Sequence, residues 1–192
     1  MKSTLKFLTL SLILLSFFSC KKELDNQQKT EYAKKGKEIA MATADRMLAE
    51  VAKNMKEGGV AQAAPFCNAH ADSITNEIAS NHGVSIKRTS HLLRNEKFKP
   101  STREQEIITQ YQKQKSEKQE LKPIVEKNED GSVQFYAPIK LVQKCTTCHG
   151  VLGETLTPKN DSIIKVLYPM DKAIGFKEGD IRGIWSINFP KK

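Results

Sequence analysis

Around residue 145 the chain reads Lys144-Cys145-Thr146-Thr147-Cys148-His149-Gly150, and no other stretch restricts the fold as much. A C-x-x-C-H run is the attachment pattern of a c-type heme. Two thiols are needed because each adds to one vinyl group of the porphyrin. The histidine must follow at once, so that the turn through the second cysteine brings its imidazole beneath the iron as the proximal ligand. Three other uses of the run fit less well. A thioredoxin-type redox pair sits at a strand-to-helix turn of a βαβ unit, which the flanking pattern lacks. A structural zinc needs four ligands, and no second C-x-x-C or H-x-x-x-H supplies them. A disulfide across two residues leaves His149 without a role. The expectation is one covalent heme c on Cys145, Cys148 and His149, and a fold built to hold it.

The N-terminus points to export. Lys2 and Lys6 form a short basic region, and residues 7–18 are an apolar run too short to span a bilayer. It ends Phe17-Phe18-Ser19-Cys20-Lys21-Lys22, which resembles a bacterial lipoprotein signal, although Phe17 stands where leucine is usual. That resemblance implies removal of residues 1–19, acylation of Cys20 and a membrane anchor in the cell envelope, facing the periplasm or on the outer membrane. Residues 20–30, polar and charged, are expected to be a tether. The net charge falls from +9 to +7, because Lys2 and Lys6 go and no acid does. Nucleic acid is excluded as a partner on compartment grounds; anionic lipid or an acidic redox protein suits the charge better. With Cys20 on lipid and Cys145 and Cys148 on heme, Cys67 is left as an unpaired thiol in an oxidising compartment.

The 192-residue chain suggests one domain, residues 31–192, behind the tether. Ala40, Ala44, Met47, Leu48, Val51 and Met55 recur at helical spacing over Glu31–Lys56, stopped by Gly58-Gly59. A second helix over Ala61–Asn81 carries Val60, Ala64, Cys67, Ala71, Ile74 and Ile78 on one stripe, with Pro65 in its opening turn and Gly83 closing it. Residues 84–102 read as a loop. Ser101 or Thr102 caps a third helix reaching Gln114. The period then changes to two over Lys122–Lys127 and Ser132–Leu141, joined by Asn128-Glu129-Asp130-Gly131. A short helix over Ser162–Leu167, capped by Asp161, and a strand over Ile181–Pro190 complete the chain. Helices first and antiparallel strands afterwards predict an α+β fold. An all-helical cytochrome is disfavoured, since its heme motif lies near the N-terminus.

Several short segments together resemble a known family. They are Phe66-Cys67-Asn68, Arg88-Thr89-Ser90, Arg94-Asn95, Phe135-Tyr136-Ala137-Pro138-Ile139, the C-x-x-C-H run, and Gly175-Phe176 with Gly179-Asp180-x-Arg182-Gly183. This series is similar to a bacterial c-type heme family with a PAS-like fold, over residues 32–190. The chain departs from that family at Glu96 and Phe98, where proline and asparagine are expected. The resemblance implies N-terminal helices followed by an antiparallel PAS-like sheet holding one heme. It also implies an axial pair of the motif histidine and a cysteine from the helical part, which matches Cys67.

Other residues compete for these roles. His70, at the edge of the second helical stripe, is the rival distal ligand and would make a bis-histidine electron carrier. Met170 is a methionine at ligand distance in sequence, better read as packing beside Tyr168 and Pro169. His82 suits a helix C-terminus and His91 the surface. Arg88, Arg94 and Arg182 have the guanidinium geometry to meet heme propionates. Tyr136 and Trp185 suit the pocket wall or the core. The expected function is a monoheme redox module, or a redox or gas sensor in which Cys67 leaves the iron, working with a separate redox or signalling protein. The competing class is a peroxidase-like enzyme with an open distal site.

Overall fold

The computed structural model describes residues 23–191. The proposed signal, with residues 20–22 of the expected tether (Cys20 among them), lies outside them. Two long helices come first. α1 (Asn26–Gly58) starts five residues before the apolar periodicity, inside the expected tether. Asp25 accepts from the Gln28 N–H while the Gln28 side chain accepts from the Asp25 N–H, so a capping box starts the helix in polar sequence. Gly59, at φ 64°, ends α1 and opens α2 (Val60–His82), which Gly83 closes in the left-handed conformation. Pro65 is in the second turn of α2, not the first, and forfeits one backbone bond. The carbonyl left without it belongs to exposed Ala61.

Four antiparallel strands follow: β1 (Ser85–Thr89), β2 (Ile124–Lys127), β3 (Val133–Lys140) and β4 (Ile181–Phe189), in the spatial order β1-β4-β3-β2. β1 falls where the sequence reads as a loop. Its alternation is hidden because Arg88 takes the inward position after Ile86, opposite Trp185 of β4. α3 (Thr102–Ser116) is capped by Ser101, which forms a capping box with Glu104. α4 (Thr146–His149) holds the C-x-x-C-H run, and α5 (Pro158–Leu167) follows. α5 begins earlier than its pattern suggests. Thr157 is its cap and Pro158 its first residue, while Asp161 lies inside the first turn, paired with Lys165.

The fold is α+β, with helices on both faces of the sheet. Ile39 and Ala40 of α1 pack on Phe135, Trp185 and Ile187. On the other face Ile107, Ile108 and Tyr111 of α3 pack on Tyr136 and Ile184. Tyr136 is therefore a core residue remote from α2, and its backbone carbonyl accepts from the Tyr111 hydroxyl. Gly36 lets α1 lie on the sheet: a methyl there would stand 2.3 Å from the Phe135 ring. A third apolar cluster joins Val60 and Ala64 of α2 to Leu156 and Ile164, with Cys148 and Tyr168 at its margin. No helix among the described residues is long and apolar enough to cross a membrane.

Candidate cofactor site

β3 delivers the chain to Leu141, which is tied to the approach to β4 from both sides. Its N–H donates to Asp180 at 2.9 Å, and its carbonyl accepts from Gly179 at 2.7 Å. A single 3-10 turn over Gln143–Cys145 leads into α4, so both thiols and the imidazole lie within two turns. Gly150 closes this unit where no side chain fits: a Cβ would meet Thr155 Oγ1 at 1.9 Å and the Thr146 carbonyl at 2.4 Å. Cys67, Cys145 and Cys148 are all free and half-buried.

The segment before β4 clasps this turn. Phe176 N–H donates to the His149 carbonyl at 3.0 Å, and Gly175 N–H to the Gly150 carbonyl at 2.8 Å. Arg94 adds a second hold from the loop after β1, donating to the Cys148 carbonyl at 2.5 Å. Its counter-ion is Asp171, whose side chain is fully buried and 3.1 Å away. Asp171 also accepts from the Ala173 N–H at 2.8 Å. The Ala173 carbonyl in turn lies 2.8 Å from His149 Nδ1. The chain Arg94–Asp171–Ala173–His149 thus locks the cysteine turn and the imidazole together.

That last bond decides the imidazole's tautomer. A carbonyl can only accept, so Nδ1 carries the proton and Nε2 keeps its lone pair for a metal. Arg182 Nε lies 3.4 Å from the same Nδ1, but an occupied N–H cannot accept from it, so this is a charge contact. Burial, then Arg94, then Arg182 hold the imidazole well below its ordinary pKa. It is neutral at pH 7, as a ligand must be.

The third thiol faces the same region. Cys67 and Cys148 act on each other electrostatically and both feel Arg94. Burial pushes Cys67 up, against Arg94 and Arg88, which favour its thiolate. Arg88 has few partners of its own. It donates to Met47 Sδ at 2.8 Å, a weak acceptor, and lies 5.9 Å from the Trp185 ring. Among the described residues no carboxylate is in ion-pair contact with it.

The remaining candidates separate from this cluster. His70 is exposed and stacks on Phe66, with centroids 5.2 Å apart. Met170 is 66% exposed, so it is not a buried packing residue. His82 is exposed in the last turn of α2. His91 is not a surface residue: it is half-buried, edge-on to Phe176 and within 3.1 Å of Gln112. Trp185 lies in the α1-facing core and also backs Arg88. Asp171 and Ala173 were not evident from sequence. Asp171 acts across 77 positions on Arg94, and Ala173 through its backbone alone, so neither leaves a motif.

A family model matches residues 26–190, nearly all of the described chain. The protein belongs to the Tll0287-like family. Among solved structures, the cyanobacterial heme protein Tll0287 is similar, with a TM-score of 0.54 and 19% identity over 80% of this chain and 96% of that one. At this identity the likeness to Tll0287 is one of fold. No curated protein matches the chain. The Tll0287-like match spans Cys67, Arg88, Arg94 and the C-x-x-C-H turn alike.

Proposed function

We propose that the chain is a monoheme c-type protein, anchored to the cell envelope through Cys20 and working as a one-electron redox module or redox sensor. The observation that carries this reading is the His149–Ala173 bond, which fixes the proton on Nδ1 and leaves Nε2 to a metal, beside two free thiols at attachment spacing. The family match and the fold of a heme protein support it.

The residues present fit the group. Among the described residues, no three His, Cys, Asp or Glu side chains converge to hold a metal ion by themselves. A metal placed here must therefore bring most of its own donors, as a porphyrin does. Cys145 and Cys148 would hold heme covalently, His149 Nε2 would be the proximal ligand, and Cys67 Sγ the distal one. When bound, the heme supplies reversible one-electron chemistry. The protein's share is to fix the imidazole through Ala173, to hold the cysteine turn through Arg94, and to lower the cost of a Cys67 thiolate through Arg88 and Arg94. Arg88 has donors to spare for a propionate, whereas Arg94 is already committed to Asp171 and Cys148. With sulfur and imidazole both supplied by the chain, no open position would be left for peroxide, and the exposed His70 does not support a bis-histidine site.

The test is the ferric spectrum of the full chain matured in a host that attaches heme c. Optical and paramagnetic resonance spectra should report a low-spin iron with thiolate and imidazole ligands. Cys67→Ala should abolish the thiolate signature while heme stays attached. An unchanged spectrum in that variant would refute Cys67 as ligand. A high-spin iron with peroxide turnover would favour the enzyme reading instead. Carbon monoxide binding to the reduced protein then separates sensor from carrier.

A further inference from the structure

We propose that Arg182 is a tuning residue that raises the reduction potential of the iron through the back of the proximal imidazole; this rests on the His149-ligated heme proposed above. Three arginines approach the site, and they are not equivalent. Arg94 has its own carboxylate, Asp171. Arg88 sits on the side of the unpaired thiol, facing Cys67 and Trp185. Arg182, from β4, sits on the side of the imidazole, with Nε 3.4 Å from His149 Nδ1. Its other contacts are neutral: the Leu92 carbonyl at 3.0 Å and the Phe176 ring at 5.4 Å. Among the described residues no carboxylate is in ion-pair contact with it; Asp171, the carboxylate that acts on it from farther off, is already paired with Arg94.

Nδ1 and Nε2 lie on opposite sides of an imidazole. A guanidinium at Nδ1 is therefore behind the ligand, and its Nη1 donates to the Leu92 carbonyl. Oxidising the iron removes one electron, passed to an external one-electron acceptor, and adds one positive charge to the site with no proton moved. A fixed cation nearby opposes that step and favours the reduced state. It partly offsets the pull of the Cys67 thiolate toward ferric iron.

The experiment is potentiometric titration of the full heme-loaded chain, with Arg182→Gln, Arg182→Met and Arg182→Lys compared with the parent. The two neutral variants should favour the ferric form by about tenfold or more, a fall of about 59 mV or more for a one-electron couple. The lysine variant should stay within a third of that shift. Their ferric spectra should keep the parent's ligand signature. Unchanged or raised potentials in the neutral variants, or a lysine variant that falls as far as they do, would overturn the assignment. Loss of heme from both neutral variants would also overturn it, by making the side chain structural. Retained low-spin thiolate spectra with unmoved potentials would sink Arg182 alone and leave the ligand set standing.

Discussion

Replacing Asp171 by Ala probes the hold on the heme-motif turn most directly. Its carboxylate is fully buried and makes two bonds, an ion pair with Arg94 at 3.1 Å and a bond from the Ala173 N–H at 2.8 Å. The alanine variant leaves the Arg94 guanidinium, itself only 18% exposed, without a counter-ion. Removing one partner of a buried pair costs about 3–5 kcal/mol, because the other charge stays desolvated. For a domain of this size each kcal/mol moves the midpoint by about 2–4 °C, so thermal unfolding of the heme-loaded chain should fall by about 6–20 °C. Asp171→Asn keeps an acceptor for Ala173 but not the charge, and should lose roughly half as much. Circular dichroism melts of both variants, on preparations matched for heme content, read these differences. A loss under about 1 kcal/mol for Asp171→Ala would show that the pair does not hold the site, and the relay from Arg94 to His149 would have to be abandoned.

Other consequences are as specific. Gly150→Ala places a methyl 2.4 Å from the Thr146 carbonyl, so covalent heme content in purified protein should collapse, and Thr155→Gly should not rescue it because the backbone clash remains. Ser101→Ala removes the α3 cap and should cost about 0.5–2 kcal/mol in a urea melt, with little change in the heme spectrum. Glu104 gives the pH dependence. Burial pushes its carboxyl up, but the Lys87 ammonium and the Ser101 N–H outweigh that and hold it below the ordinary range. A carboxylate with a depressed folded pKa stabilises the protein above its unfolded value, about 4.3, and that contribution is lost as pH falls through the folded value. Chemical unfolding between pH 7 and 3 should show this loss, and Glu104→Gln should flatten it.

The sequence shows the site and the fold unequally. Cys145, Cys148, His149 and Cys67 are rare residue types with fixed chemistry, so they stand out as candidates before any fold is known. Helices α1, α2 and α3 are legible because their apolar stripes face the sheet or each other. β1 is not, because Arg88 occupies a sheet-facing position and breaks the alternation on which strand reading depends. The start of α1 was hidden for the opposite reason: a capping box needs only polar residues, which also compose linkers. The relay through Asp171 and Ala173 could not be anticipated, since it joins distant segments through a backbone carbonyl that any residue provides. Arg88, Arg94 and Arg182 share one residue type, and only their acceptors divide a spare cation from a clamp and from a charge behind the imidazole.

The order β1-β4-β3-β2 has a consequence for biosynthesis. β4 is the last of the described strands to be made, yet among the described residues it is the sole bridge between β1 and the β2–β3 hairpin. An emerging chain that stops short of Ile181 owns a hairpin and loose helices, with neither Arg182 nor the sheet that seats the cysteine turn. Pairing of β1 with the hairpin thus waits for the end of the chain, so a truncation before Ile181 should lose the sheet while keeping both thiols of the C-x-x-C-H turn.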